Sequence, residues 1–174
     1  MNDTTRHYIN DLAESVLKYY DISTPIGNIE DVVAQMGGTI ETLPGLNLYD
    51  GTIRKTGETS FQIAVSPYQS RERRAFTIAH ELGHLFLHMG FQTDASVWNQ
   101  QDNENYTRFG NSEQEYQANE FAAALLMPAE QYRQVLNQYA VSGRVDVGKI
   151  AGYFHVSIAA ATNRGRFLGY LVWH

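Results

Sequence analysis

The sequence contains no cysteine. That excludes disulfides, thiolate metal sites and cysteine nucleophiles, so any bound metal must be held by histidine and carboxylate. No apolar stretch approaches the ~20 residues needed to span a bilayer. The first residues, Met1-Asn2-Asp3-Thr4-Thr5-Arg6, lack the basic start and apolar run of a signal peptide. The chain is therefore expected in the cytoplasm, without membrane contact. It is also short of basic residues: Lys and Arg number 13 against 19 Asp and Glu, for a net charge of -6. Such a chain is a poor generic binder of nucleic acid, because non-specific affinity comes from Lys and Arg neutralising phosphates. Repeats and low-complexity linkers are absent as well.

What is present is ordinary globular composition, 43% hydrophobic over 174 residues. This suits a single domain spanning residues 1–174. Ile9, Leu12, Val16 and Leu17 recur at helical spacing between about Thr5 and Tyr20. Asn28 is placed to cap a short helix through Met36, stopped by Gly37 and Gly38. Residues 39–66 change character. Thr39–Leu43 alternates, Pro44-Gly45 signals a turn, a second strand is expected over roughly Leu48–Arg54, and Phe61–Val65 alternates again after a hairpin loop at 55–58. These segments predict a small antiparallel sheet.

Helical patterning returns from Ser70 to Met89, with Gly90 as its stop. Residues 91–110 are polar and irregular, a length that often forms a lid or binding loop. Helices are then expected at 112–127, 129–139, 146–154 and 158–167, and an extended tail at 169–173. The fold class predicted is α+β, mostly helical, with the small sheet packed beside the helix that carries the motif described next.

That motif is His80-Glu81-Leu82-Gly83-His84, the HExxH pattern. Residues four apart lie on one helical face, ~6 Å apart along the axis. Two imidazoles there can meet one Zn²⁺ at ~2.0–2.1 Å. Glu81 falls beside the ion rather than on it. From there a carboxylate can take a proton from the attacking water and pass it to the leaving amine. The flanks, Ala75–Ala79 and Leu85–Leu87, are apolar. They place the motif in the interior, where two histidines and a glutamate are costly without a purpose.

Catalytic zinc needs a third protein ligand and an open position. No further histidine follows at the spacing that extends this motif in metzincins. Glu113, Glu115 and Glu120 on the next helix can supply a carboxylate, as can Glu104 and Asp94 in the preceding loop with less reason. Each also has a structural reading, Glu113 as a helix-start charge and Glu120 as a solvated face or a support for a ligand. His88 is either a group assisting the site or a helix-end cation. Asn119 is a candidate to hold the outer nitrogen of a ligating imidazole. Tyr106, Tyr116, Tyr132 and Arg108 are candidate oxyanion stabilisers, while Trp98 and Tyr106 either grip substrate or pin the long loop.

The stretch Arg74-Ala75-Phe76-Thr77-Ile78-Ala79-His80-Glu81-Leu82-Gly83-His84-Leu85-Phe86-Leu87-His88 resembles the core motif of the ImmA/IrrE metallopeptidases, which are gluzincin-like. A second family motif is similar to Glu115-Tyr116-Gln117-Ala118-Asn119-Glu120-Phe121-Ala122-Ala123-Ala124-Leu125-Leu126-Met127-Pro128. The resemblance implies that Glu115, the glutamate opening this motif, completes the metal site with His80 and His84. It implies a zinc-dependent endopeptidase that cleaves a helix-turn-helix repressor of a phage or mobile element. It also likens residues 145–168 to the family's C-terminal helix-turn-helix-like piece. The competing reading is a non-catalytic, metal-stabilised regulator that binds a partner or DNA through that piece. An intact Glu81 favours the enzyme, because a structural zinc needs no general base.

Overall fold

The computed structural model describes residues 1–47, 51–107, 109 and 112–172. In chain order the elements are α1 (Asp3–Tyr19), α2 (Ile29–Gln35), β1 (Gly38–Thr42), β2 (Gly51–Lys55), β3 (Phe61–Val65), α3 (Arg71–Leu87), α4 (Ala95–Asn99), α5 (Ser112–Leu126), α6 (Ala129–Tyr139), α7 (Val147–Phe154) and α8 (Ile158–Phe167). Short polar side chains set the helix starts. Asn2, Asn28, Ser70, Asp94, Asp146 and Ser157 each accept a hydrogen bond from a backbone amide of the turn that follows, relieving amides that have no partner within the helix. The α+β class holds.

The sheet departs from expectation in one pairing. Its order is β1-β3-β2. β2 pairs antiparallel with β3, but β1 pairs parallel with it, Gly38 opposite Phe61 and Thr42 opposite Val65. The physical reason is burial. In β3, Phe61, Ile63, Ala64 and Val65 are all fully buried, so that strand is apolar on both faces and takes the central position. β1, with two of its five residues exposed, is left at the edge. The start of the second strand expected at Leu48 lies outside the described residues; from Gly51 onward β2 forms as expected.

α3 is the hub. Nine of its residues from Thr77 to Phe86 are buried, more than one stripe, because β2 and β3 cover one side and α5 the other. α5 packs in turn on α1. The crossing of α3 and α5 is close. A Cβ added at Gly83 would fall 2.9 Å from both the Cα and the carbonyl oxygen of Ala118, so these backbones touch where other helix pairs interpose side chains.

The long loop, the C-terminal tail and Glu120 differ from expectation. The loop after α3 contains α4, and its Trp98 is keyed inward, donating from Nε1 to the Glu58 carbonyl at 2.7 Å beneath the Lys55 ammonium. Residues 169–172 do not extend: the amides of Tyr170 and Leu171 turn back to the Gly165 carbonyl. Glu120 is buried. Its carboxylate meets Arg164 at 3.1 Å, Asn10 at 2.8 Å and Arg6 at 3.5 Å. Arg164 also donates to the Met127 carbonyl and to Asn10 Oδ1. This knot ties α1, α5 and α8 together. Arg164→Ala should cost about 3–5 kcal/mol in urea unfolding, the penalty for taking from a buried carboxylate its closest cationic partner.

Candidate metal centre

α3 and α5 bring three donor atoms together. His80 Nε2 lies 3.0 Å from His84 Nε2, and Glu115 reaches both, with Oε2 3.2 Å from His80 and Oε1 3.3 Å from His84. Ligands around an ion bound at ~2.0–2.1 Å in a tetrahedron stand ~3.3 Å apart, so the spacing fits a divalent cation. Among the described residues this is the one cluster of metal-ligating groups. Glu113 instead meets the Met1 amine and Gln117. Glu120 lies in the Arg164 knot, and Asp94 caps α4. Of the carboxylates weighed from sequence, Glu115 alone joins the histidines.

Hydrogen bonds dictate which nitrogen of each ring carries the proton. Asn119 Oδ1 accepts from His80 Nδ1 at 2.9 Å, leaving His80 Nε2 a lone pair. Gln117 Oε1 accepts from His88 Nε2 at 2.9 Å. The neutral His88 ring can then only accept at Nδ1, so His84 Nδ1, 3.0 Å away, donates to it. His84 Nε2 is thereby a lone pair too. Burial keeps the rings neutral: His84 is pushed down to about 2 by desolvation, aided by the His80 and His88 rings, and burial also lowers His80 against the opposing pull of Glu115. In this tautomer pattern two imidazole lone pairs and a carboxylate converge. A cation resolves that repulsion.

These donors face a cleft of about 500 Å³. Glu81 lines it and is itself 4% exposed. Its carboxylate packs against β2, where a Cβ on Gly51 would come within 2.8 Å of Glu81 Oε1. Phe109 stacks on His84 at 3.8 Å with the rings nearly parallel. Thr52, Arg73 and Thr107 contribute polar groups to the walls.

His88 and Asn119 stand where the sequence allowed, behind the His84 and His80 rings. The tyrosines do not: Tyr106 bonds Glu41, Tyr132 bonds the Ala161 carbonyl, and Tyr116 faces away from the cleft. Tyr106 and Trp98 thus pin the loop. Arg108 lies outside the described residues. Gln117, Gly51 and Phe109 escaped sequence reasoning. Gln117 had a signal, since a histidine one turn beyond His84 needs its own partner, whereas the other two depend on how β2 and the loop pass the site.

The family model for the Peptidase_M78 IrrE N-terminal-like domain matches residues 42–165. The chain belongs to that family. This IrrE-like chain matches no curated protein. A solved structure described as a Mycobacterium tuberculosis transcriptional regulator is similar to it, with a TM-score of 0.59 and 20% identity over 91% of this chain. The IrrE-like chain spans 46% of that structure's length, and at this identity the likeness concerns the fold. No helix among the described residues is long and apolar enough to cross a membrane.

Two substitutions probe the centre. Gly83→Ala should wedge α5 away from α3, lowering stability by about 1–3 kcal/mol and weakening divalent-metal uptake in a calorimetric titration. His88→Phe leaves the His84 Nδ1 proton without an acceptor, and the same titration should show roughly 10–100-fold weaker binding.

Proposed function

We propose that this protein is a zinc-dependent endopeptidase, with His80, His84 and Glu115 as metal ligands and Glu81 as the general base. The observation that carries this reading is the convergence of two imidazole nitrogens and a carboxylate oxygen beside an open cleft. Two imidazoles and one carboxylate, leaving a fourth position free, make a catalytic rather than a structural zinc set. An ion held there would supply Lewis acidity, raising the acidity of a water and polarising a peptide carbonyl.

The protein's own groups do the rest. Asn119 and the Gln117–His88 pair hold the two rings with their Nε2 lone pairs toward the cleft. The Glu81 carboxylate, boxed by Gly51 and Thr77, takes a proton from the attacking water and returns it to the leaving amine. Phe109 covers the His84 face and keeps water from competing for it.

The substrate proposed is a helix-turn-helix repressor of a phage or mobile element, cut in the cytoplasm to relieve repression. The two motifs around His80 and Glu115 support it, and a fold neighbour designated a transcriptional regulator is consistent with it. Direct DNA reading by α8 is disfavoured, because Arg164 is turned inward and committed to Glu120.

Glu81→Gln should retain metal, measured by elemental analysis, and lose cleavage of a co-expressed helix-turn-helix repressor that the wild type cuts. Glu115→Ala should lose both. If Glu81→Gln also lost its metal, the carboxylate would be a ligand and the assignment wrong.

A further inference from the structure

A second cavity, of about 910 Å³, opens beside the metal cleft between α3, α5 and α8. Its walls are mainly apolar: Phe76, Tyr116, Ala123, Val156, Ile158 and Phe167. Tyr116, Ile158 and Phe167 are 63%, 61% and 46% exposed. Large apolar side chains gathered on one exposed surface mark an interaction site more often than chance.

The groove is continuous with the cleft. Arg73, Phe76 and Asn119 line both, and Asn119 also holds His80. A polypeptide lying over the three metal-binding donors and leaving past Phe76 enters the groove directly. Arg164 and Arg6 both meet the Glu120 carboxylate, and Glu72 and Arg73 at the rim bring one charge of each sign. The feature left to select a segment is the apolar surface, which favours neither an acidic nor a basic one.

We infer that the groove between α5 and α8 binds an apolar stretch of the substrate polypeptide, on one side of the scissile bond and beyond the residues at the bond itself. This rests on the peptidase reading and adds to it a source of specificity: a short apolar segment at a set distance from the cut. Ile158 is the anchor of choice, since it is exposed in the groove, distant in sequence from the metal centre, and the first residue of α8. A glutamate at a helix start suits the dipole, so Ile158→Glu alters the groove without opposing the helix.

The test is digestion of a proteome-derived peptide library by the zinc-loaded protein, with cut sites read by mass spectrometry. Wild type should enrich Leu, Ile, Phe or Met roughly tenfold at a position removed from the cut, the discrimination one apolar pocket supplies. Ile158→Glu should abolish that enrichment and Ile158→Leu keep it. Cleavage with no such enrichment, or enrichment unchanged in Ile158→Glu, overturns the inference and leaves the peptidase standing. No cleavage of any peptide by wild type overturns the peptidase reading and this inference together. Sedimentation that finds a dimer lost in Ile158→Glu assigns the groove to a second copy instead and overturns it too.

Discussion

The backbone contact between Gly83 and Ala118 is the constraint on which this molecule turns. One turn of α3 presents two imidazoles, but the third donor comes from a different helix, and its distance is whatever the helix crossing allows. With a glycine on one side and an alanine on the other, the helices approach closely enough for a glutamate side chain to touch both rings. A pair of helices separated by leucines would hold its axes nearer 10 Å apart, and Glu115 would fall short. Gly83 is one of the two interior positions of the HExxH pattern, where the pattern asks for no particular residue. Here the packing asks for one.

Order behind the rings matters as much as distance in front of them. Buried imidazoles could adopt either tautomer, and only one presents Nε2 as a lone pair. Asn119, His88 and Gln117 favour it through the hydrogen bonds they make to the outer ring nitrogens. Glu115, Gln117 and Asn119 sit within five residues on α5. That helix therefore supplies the carboxylate of the cluster, the amide that holds His80 and the amide that holds His88 behind His84, which is why its register against α3 carries so much of the site.

Much of this was legible in sequence. Helices announced themselves through periodicity and caps, and the HExxH spacing located the two imidazoles because helical geometry is local. Glu115 was legible only through resemblance, since Glu113 and Glu120 occupy the same helix and periodicity alone does not rank them. The parallel pairing of β1 was not legible, because strand order depends on which strand is buried on both faces. Nor was the fate of Glu120. A buried carboxylate reads like a solvated one until its partners, 44 and 110 residues away, are known. Phe109 and Gly51 share that difficulty, as their roles arise from chain segments passing the site rather than from their own neighbourhood.

The Arg164 knot bears on what counts as a unit of folding here. The segment by which the family is recognised begins at residue 42, after α1, α2 and β1. Yet Arg6 of α1 pairs with the same carboxylate that Arg164 does, Asn10 donates a hydrogen bond to it, and β3 would lose its parallel neighbour without β1. Excised on its own, the recognisable stretch would carry every group of the candidate metal centre and keep the Glu120–Arg164 pair, while exposing the apolar back of α5. What defines kinship in this chain is thus smaller than what sustains cooperativity, and the N-terminal helix, outside the signature, belongs to the fold as fully as the motif does.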